Sequence, residues 1–122
     1  TPPVFSIYVS LLTMRWLKNL GGIKAIDEIN KTKAIVMYSE IDLNPLFKGF
    51  AAIEDRSTMN ATFNLTNSDL KDTFELMLKE AGIEGVNGHR SVGGYRASMY
   101  NALSLDSVKV LVEVMSELET KA

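Results

Sequence analysis

Between Phe5 and Leu20 the chain is apolar on almost every face a helix could present. Phe5, Tyr8, Leu12, Trp16 and Leu20 follow one another at steps of three and four, the spacing of a single helical face. Ile7, Val9, Leu11 and Met14 fill most of the remaining directions, and the polar residues among them, Ser6, Ser10 and Thr13, are small. A helix apolar nearly all round has to be covered nearly all round. That leaves two placements: the centre of this chain's own core, or a surface covered by another domain or subunit. Thr1-Pro2-Pro3 suits a helix entry, since threonine caps and proline starts helices well. The charge-free run from Thr1 to Met14 is too short to span a bilayer. No basic region precedes an apolar run, so no signal peptide is expected. The first residue is Thr1 and not methionine, which leads us to expect a processed chain or a piece of a longer one.

The rest of the 122 residues reads as one domain. Gly21-Gly22 ends the first helix, and Ile23 to about Ile41 forms a second, with Ile26, Ala34, Met37 and Ile41 on its apolar face and Asn30 interrupting it. Asn44-Pro45 stops it. Residues 46–55 read as loop, with a short strand around Phe50 to Ile53. The clearest strand is 57–65, where Met59, Ala61, Phe63 and Leu65 alternate strictly with polar residues. Thr66-Asn67-Ser68 offers caps for a third helix carrying Leu70, Phe74, Met77, Leu78 and Ala81, closed by Gly82. Short strands are expected around 83–87 and 96–100. Ser104 then caps a last helix with Leu105, Val108, Leu111, Val112, Met115 and Leu118 on its core face. The order helix, helix, strand, helix, strand, strand, helix implies an α/β sandwich of the two-layer α+β kind, with helices packed on a small, largely antiparallel sheet.

Composition narrows the chemistry. With no cysteine there is no disulfide, thiolate metal site or cysteine nucleophile, and one histidine cannot form a multi-histidine metal site. A net charge of −2 gives no electrostatic footprint for nucleic acid. Nothing forms a nucleophile–base pair in sequence. One stretch stands apart: five of the eight glycines lie between Gly82 and Gly94, together with His89, Arg90 and Arg96. Arginine presents a planar fork that matches carboxylate or phosphate, and glycines let backbone N–H groups approach an anion. A histidine beside a phosphate could be held as the cation. The group suits a doubly anionic small ligand. The opposing reading is a glycine-rich hairpin whose arginines pair with carboxylates of the core. The spacing fits neither a P-loop nor a dinucleotide fingerprint. Elsewhere, Asp69, Asp72 and Glu75 read as an acidic first turn. Glu113, Glu117 and Glu119, and likewise Lys31 and Lys33, read as solvated helix faces. Trp16 and Tyr8 read as core or interface.

Gly88-His89-Arg90, Gly93-Gly94, Arg96-Ala97-Ser98 and Tyr100-Asn101-Ala102 resemble the C-terminal signature of the phosphoserine aminotransferase family, within the class V pyridoxal-phosphate aminotransferases. Thr1-Pro2-Pro3 with Phe5, Trp16-Leu17-Lys18, Gly21-Gly22, Arg56-Ser57, Met59-Asn60 and Phe63 extend the resemblance over the whole chain. It departs from the pattern at Ser91 and Tyr95, and neither residue is expected to touch a charged ligand group. The resemblance implies the small domain of a fold-type I aminotransferase, residues 1–122, without the large cofactor-binding domain. Arg96 matches the family's arginine for the α-carboxylate. His89 and Arg90 match the pocket for the distal phosphate or γ-carboxylate. Thr1 matches a threonine that reaches the pyridoxal phosphate of the partner subunit. No lysine here matches the Schiff-base lysine, so no catalytic residue is expected in this chain. The implied reaction moves an amino group between glutamate and 3-phosphohydroxypyruvate, giving phosphoserine and 2-oxoglutarate in serine biosynthesis. The implied setting is a cytoplasmic homodimer, with neither membrane nor nucleic acid as partner. Two other readings are a free-standing binding module for small anions and a structural domain that docks through its first helix.

Overall fold

A computed structural model describes all 122 residues. Two helices come first, α1 (Val4–Leu20) and α2 (Gly22–Leu43). Then follow β1 (Phe47–Gly49), a 3-10 turn at Ile53–Asp55, β2 (Asn60–Leu65), a second 3-10 turn at Ser68–Leu70, α3 (Lys71–Glu80), β3 (Tyr95–Ser98) and α4 (Leu105–Lys121). The three strands form one antiparallel sheet in the order β1-β2-β3. Phe47 faces Leu65 in one pairing and Thr62 faces Arg96 in the other. The two-layer arrangement of helices on a small antiparallel sheet is as expected.

The alternation in β2 decides which face carries the helices. Ala61 and Phe63 are buried against them, while Thr62 and Asn64 lie on the more exposed side. The core is built around four aromatic rings. Phe47 meets Phe63 and Phe74 edge-on, and Tyr95 stacks on Phe63 with ring centres 5.6 Å apart. From α2 come Met37 and Ile41, and from α4 come Val108, Leu111, Val114, Met115 and Leu118. Asn67 and Ser104 cap as their residue types suggested, each accepting a backbone N–H from two or three residues ahead.

Three expectations fail. The short strand lies at 47–49, not at 50–53, where the chain bends toward the 3-10 turn at Ile53–Asp55. Residues 83–87 form no strand; Gly82 and Gly85 adopt left-handed backbone, and only an isolated bridge from Asn87 to Tyr95 remains. The placement of α1 in this chain's own core is overturned as well, for none of its residues is buried. Gly21 ends α1 in left-handed backbone, with a φ of 116°, and a Cβ there would meet Ala25 at 2.9 Å. α1 touches α2 without burying any of its own residues, and Phe5 is 79% exposed, with Ile7, Tyr8, Met14 and Trp16 exposed as well.

On the far side of α2, Arg56 holds Asp42 bidentately, with both N–H to oxygen distances 2.7 Å, and lies 4.6 Å above the Tyr38 ring. The guanidinium holds the Asp42 carboxyl below its ordinary range. A lowered value in the folded state means the pair stabilises above pH about 4 and fades as pH falls through that lowered value. Because Asp42 is partly exposed, Asp42→Asn is expected to cost only about 1 kcal/mol at pH 7. Urea unfolding at pH 7 and near pH 3 checks this: the gap between variant and parent should shrink at the acid end, and a gap equal at both would refute the pairing.

Candidate functional site

The glycine-rich loop is tied at its base by backbone bonds. Gly88 N–H donates to the Gly94 carbonyl at 2.8 Å, and Arg96 N–H donates to the Val86 carbonyl at 2.6 Å. At the tip, the N–H groups of Val92 and Gly93 both donate to the His89 carbonyl, at 3.0 and 2.8 Å. The loop is pressed against β2 at Gly94. Its φ is 67°, and a Cβ there would overlap the Asn64 side-chain oxygen and stand 2.8 Å from the Phe63 carbonyl. Only glycine allows so close an approach in that conformation.

Burial then sets the direction of Arg96. Tyr95 and Ala97, its neighbours on β3, are both 5% exposed, so the alternation of a strand turns Arg96 to the open face. Tyr95 anchors this register between Phe63 and Phe74. Its hydroxyl is buried without a hydrogen-bond partner. Burial first, and the nearby Glu75 second, push its ionisation up to about 12, so it stays a neutral phenol.

His89, Arg90 and Arg96 are all exposed. No carboxylate lies within 4.0 Å of any of them, whereas Arg56, Lys31, Lys71 and Lys121 all have acidic partners. The hairpin reading, in which these arginines pair with carboxylates, therefore fails for Arg90 and Arg96. His89 and Arg90 sit together on the loop, and Arg96 follows at its base. Arg96 also borders a cavity of about 300 Å³ shared with Ile83, Val86, Met99 and Leu111, which includes neither His89, Arg90 nor Thr1. Thr1 is exposed ahead of α1, and no hydrogen bond joins it to the loop.

Ser91 lies beside one of the candidates. Its Oγ is 2.7 Å from His89 Nδ1.

Lys33 corrects an expectation. Instead of a solvated face it occupies the interior, with 0% exposure. Its ammonium donates to the carbonyls of Met99, Tyr100 and Leu103 at 3.1, 2.9 and 3.0 Å. Three residues earlier, Asn30 donates to the Asn101 side chain at 2.8 Å. Together they pin the segment that leaves β3 after Ser98, beginning three residues beyond Arg96. The signal was present in the spacing: Lys33 shares the face of Ile26, Asn30 and Met37, at steps of three and four. Burial lowers the pKa of Lys33. Three carbonyl dipoles oppose that, and three acceptors call for the three N–H groups of the ammonium form.

A Schiff base needs a free lysine amine facing a cavity. Of the nine lysines only Lys33 is buried, and its donors are already taken up by carbonyls. Lys71 and Lys79 border surface cavities but are exposed, Lys71 beside Glu75 at 3.8 Å, so no lysine here offers a buried, free amine. What the loop presents to solvent is His89, Arg90 and Arg96.

The family model described as aminotransferase class-V matches residues 1–111. A phosphoserine aminotransferase of Flavobacterium psychrophilum is 67% identical over 121 residues, which are 99% of this chain and 34% of that protein. A solved phosphoserine aminotransferase, determined in a study of radiation damage to its Schiff base, superposes with a TM-score of 0.94 at 46% identity, covering 100% of this chain and 35% of that one. The PLP-bound phosphoserine aminotransferase from Trichomonas vaginalis superposes with a TM-score of 0.86 at 37% identity, over 95% of this chain and 34% of that one. The chain spans about a third of the length of the curated relatives it matches. With a fold, a glycine-rich cationic loop and a family match that runs through both, the chain belongs to the class-V aminotransferases.

Proposed function

We propose that this chain is the C-terminal small domain of a phosphoserine aminotransferase and that it supplies the enzyme's recognition of substrate anions. The observation that carries this reading is the exposed cationic loop: Arg90 and Arg96 have no acidic partner, on a scaffold that follows phosphoserine aminotransferases along its whole length. Arg96 takes the α-carboxylate common to all amino-acid substrates, where its fork can bind both oxygens. His89 and Arg90 take the distal anion, which is a phosphate in phosphoserine and a γ-carboxylate in glutamate. The reaction is reversible amino transfer between glutamate and 3-phosphohydroxypyruvate, yielding phosphoserine and 2-oxoglutarate for serine biosynthesis. Pyridoxal phosphate supplies the electron sink of that chemistry. The cofactor's lysine lies in the part of the relatives that this chain does not match, so the chain alone is inactive. Thr1 reaches the cofactor phosphate across a homodimer, and the apolar surface of α1 is covered by the large domain or the partner subunit. The setting is cytoplasmic. No helix here is long and apolar enough to cross a membrane, and nucleic acid is not a partner.

The test is selectivity. In the full-length enzyme, His89→Ala is expected to raise KM for phosphoserine about 10–100-fold, the value of one charged hydrogen bond. Alanine, which has no distal anion, should be affected no more than about threefold. Equal losses for the two substrates would remove the distal-anion assignment. If the 122-residue chain by itself bound phosphoserine tightly, the free-standing anion-binding module would be the better reading.

A further inference from the structure

We propose that Asn87-Gly88 is a site of spontaneous deamidation, whose acidic products weaken the hold of the glycine-rich loop on the distal anion. The second half of this rests on the roles given above to His89 and Arg90. Of the eight asparagines only Asn87 is followed by glycine, the neighbour that least hinders attack on a side-chain amide by the backbone nitrogen. Several of the others have their side chains held elsewhere. Asn30 donates to Asn101, Asn44 to the Met115 carbonyl and Asn60 to the Tyr100 hydroxyl, while Asn67 accepts the Asp69 N–H. Asn87 is exposed, and no side-chain hydrogen bond restrains its amide. The fold also requires the glycine that makes this pair labile, because a Cβ at Gly88 would overlap the Gly93 carbonyl oxygen.

Water is the only co-reactant. The Gly88 nitrogen gives up its proton and bonds to Asn87 Cγ, the Cγ–Nδ2 bond breaks, and the amide nitrogen leaves with a proton as ammonia. Water then opens the cyclic imide at one of its two carbonyls. One opening leaves aspartate; the other leaves isoaspartate, in which the main chain runs through the side-chain carbons. In the closed loop the Gly88 nitrogen is engaged, donating to the Gly94 carbonyl at 2.8 Å, and Asn87 is bridged to Tyr95. Attack therefore proceeds from the opened loop, and the fold slows the reaction relative to an unfolded chain. Both products set a carboxylate two residues before His89 and three before Arg90, neither of which has a carboxylate within 4.0 Å in the unmodified loop. That charge competes with the substrate's distal anion. Isoaspartate also lengthens the main chain by one carbon at the bridge to Tyr95.

Peptide mapping of the full-length enzyme, aged in mildly alkaline buffer, tests the modification. Trypsin cuts after Lys79 and Arg90, and Asn87 carries the only side-chain amide in the peptide Glu80–Arg90. That peptide should gain the mass of an acid over an amide and resolve into aspartate and isoaspartate forms. The change should be slower than in enzyme aged in guanidinium chloride, and Asn60, Asn64, Asn67 and Asn101 should keep their amides over the same time. In the assay, Asn87→Asp should raise KM for phosphoserine about 3–10-fold, the effect of one added charge in a partly solvated setting, and change KM for alanine by less than about twofold. Asn87→Gln, whose longer side chain closes a less favourable ring, should stay an amide and keep the parent KM. A Glu80–Arg90 peptide that keeps its amide in the folded enzyme overturns the proposal, whatever the unfolded control does. Conversion spread evenly over the asparagines overturns it as well. So does an unmoved KM in Asn87→Asp, and His89→Ala in the same assay then shows which claim failed. If KM stays low in His89→Ala too, the assignment of His89 to the distal anion is wrong. If KM rises there, only the effect given to the modification is lost.

Discussion

Lys33→Met is expected to destabilise the chain by about 2–4 kcal/mol, although methionine matches lysine in length and is the more apolar of the two. Two opposing terms set this figure. The substitution relieves the cost of holding an ammonium in the interior, which favours the variant. It also strips the donor from the Met99, Tyr100 and Leu103 carbonyls. A buried acceptor left without a donor costs about 1–3 kcal/mol, and bonds to a charged donor are among the stronger ones. Tyr100 keeps one partner, the Leu103 N–H at 3.0 Å, so the loss falls mainly on Met99 and Leu103. For a domain of this size 1 kcal/mol moves Tm by about 4 °C. Thermal and urea unfolding of parent and variant measure the effect, and a change below about 0.5 kcal/mol would show that the ammonium is dispensable. Because the three carbonyls lie directly beyond β3, hydrogen exchange should also rise locally between residues 99 and 103, before it does in β2.

The same lysine shows how far residue type and residue spacing can disagree. As a lysine it reads as solvated; by position it belongs to the buried stripe of α2. Spacing was right, because the interior there offers three carbonyls at the end of a strand, and no pattern in the sequence announces that. For α1 the reverse holds. Its periodicity and its stop at Gly21-Gly22 were legible, since both are local. What covers it was not, for an apolar pattern reports what avoids water and not where the cover comes from. β2 was legible because one residue in two is apolar without exception. β1, with three residues, has almost no pattern of its own and exists through its pairing with β2. At the site, the glycines and the three cationic candidates could be picked out by type. The absence of acidic partners and the contact of Ser91 with His89 depend on distances that only the folded chain defines.

Arg96→Ala is expected to lower kcat/KM of the full-length enzyme about 100-fold for every amino-acid substrate, with phosphoserine, glutamate and alanine alike. Two charge-assisted bonds to one carboxylate, each contributing about 1.5–3 kcal/mol, set that scale after some compensation by water. Uniformity is the diagnostic, because the α-carboxylate is the group all these substrates share. The fold should not confuse the result. Arg96 is exposed, its side chain has no partner within the domain, and the pairing of β3 with β2 uses only backbone. Burial of Tyr95 and Ala97 continues to hold the register, so stability should move by less than about 0.5 kcal/mol. Arg96→Lys separates charge from shape: it keeps the cation but not the planar fork, and should recover only part of the loss. If the loss falls mainly on KM, the arginine binds ground and transition states equally; if it divides between KM and kcat, it also orients the amino acid for reaction. A loss confined to phosphoserine would move Arg96 to the distal anion and leave the α-carboxylate without its residue in this domain.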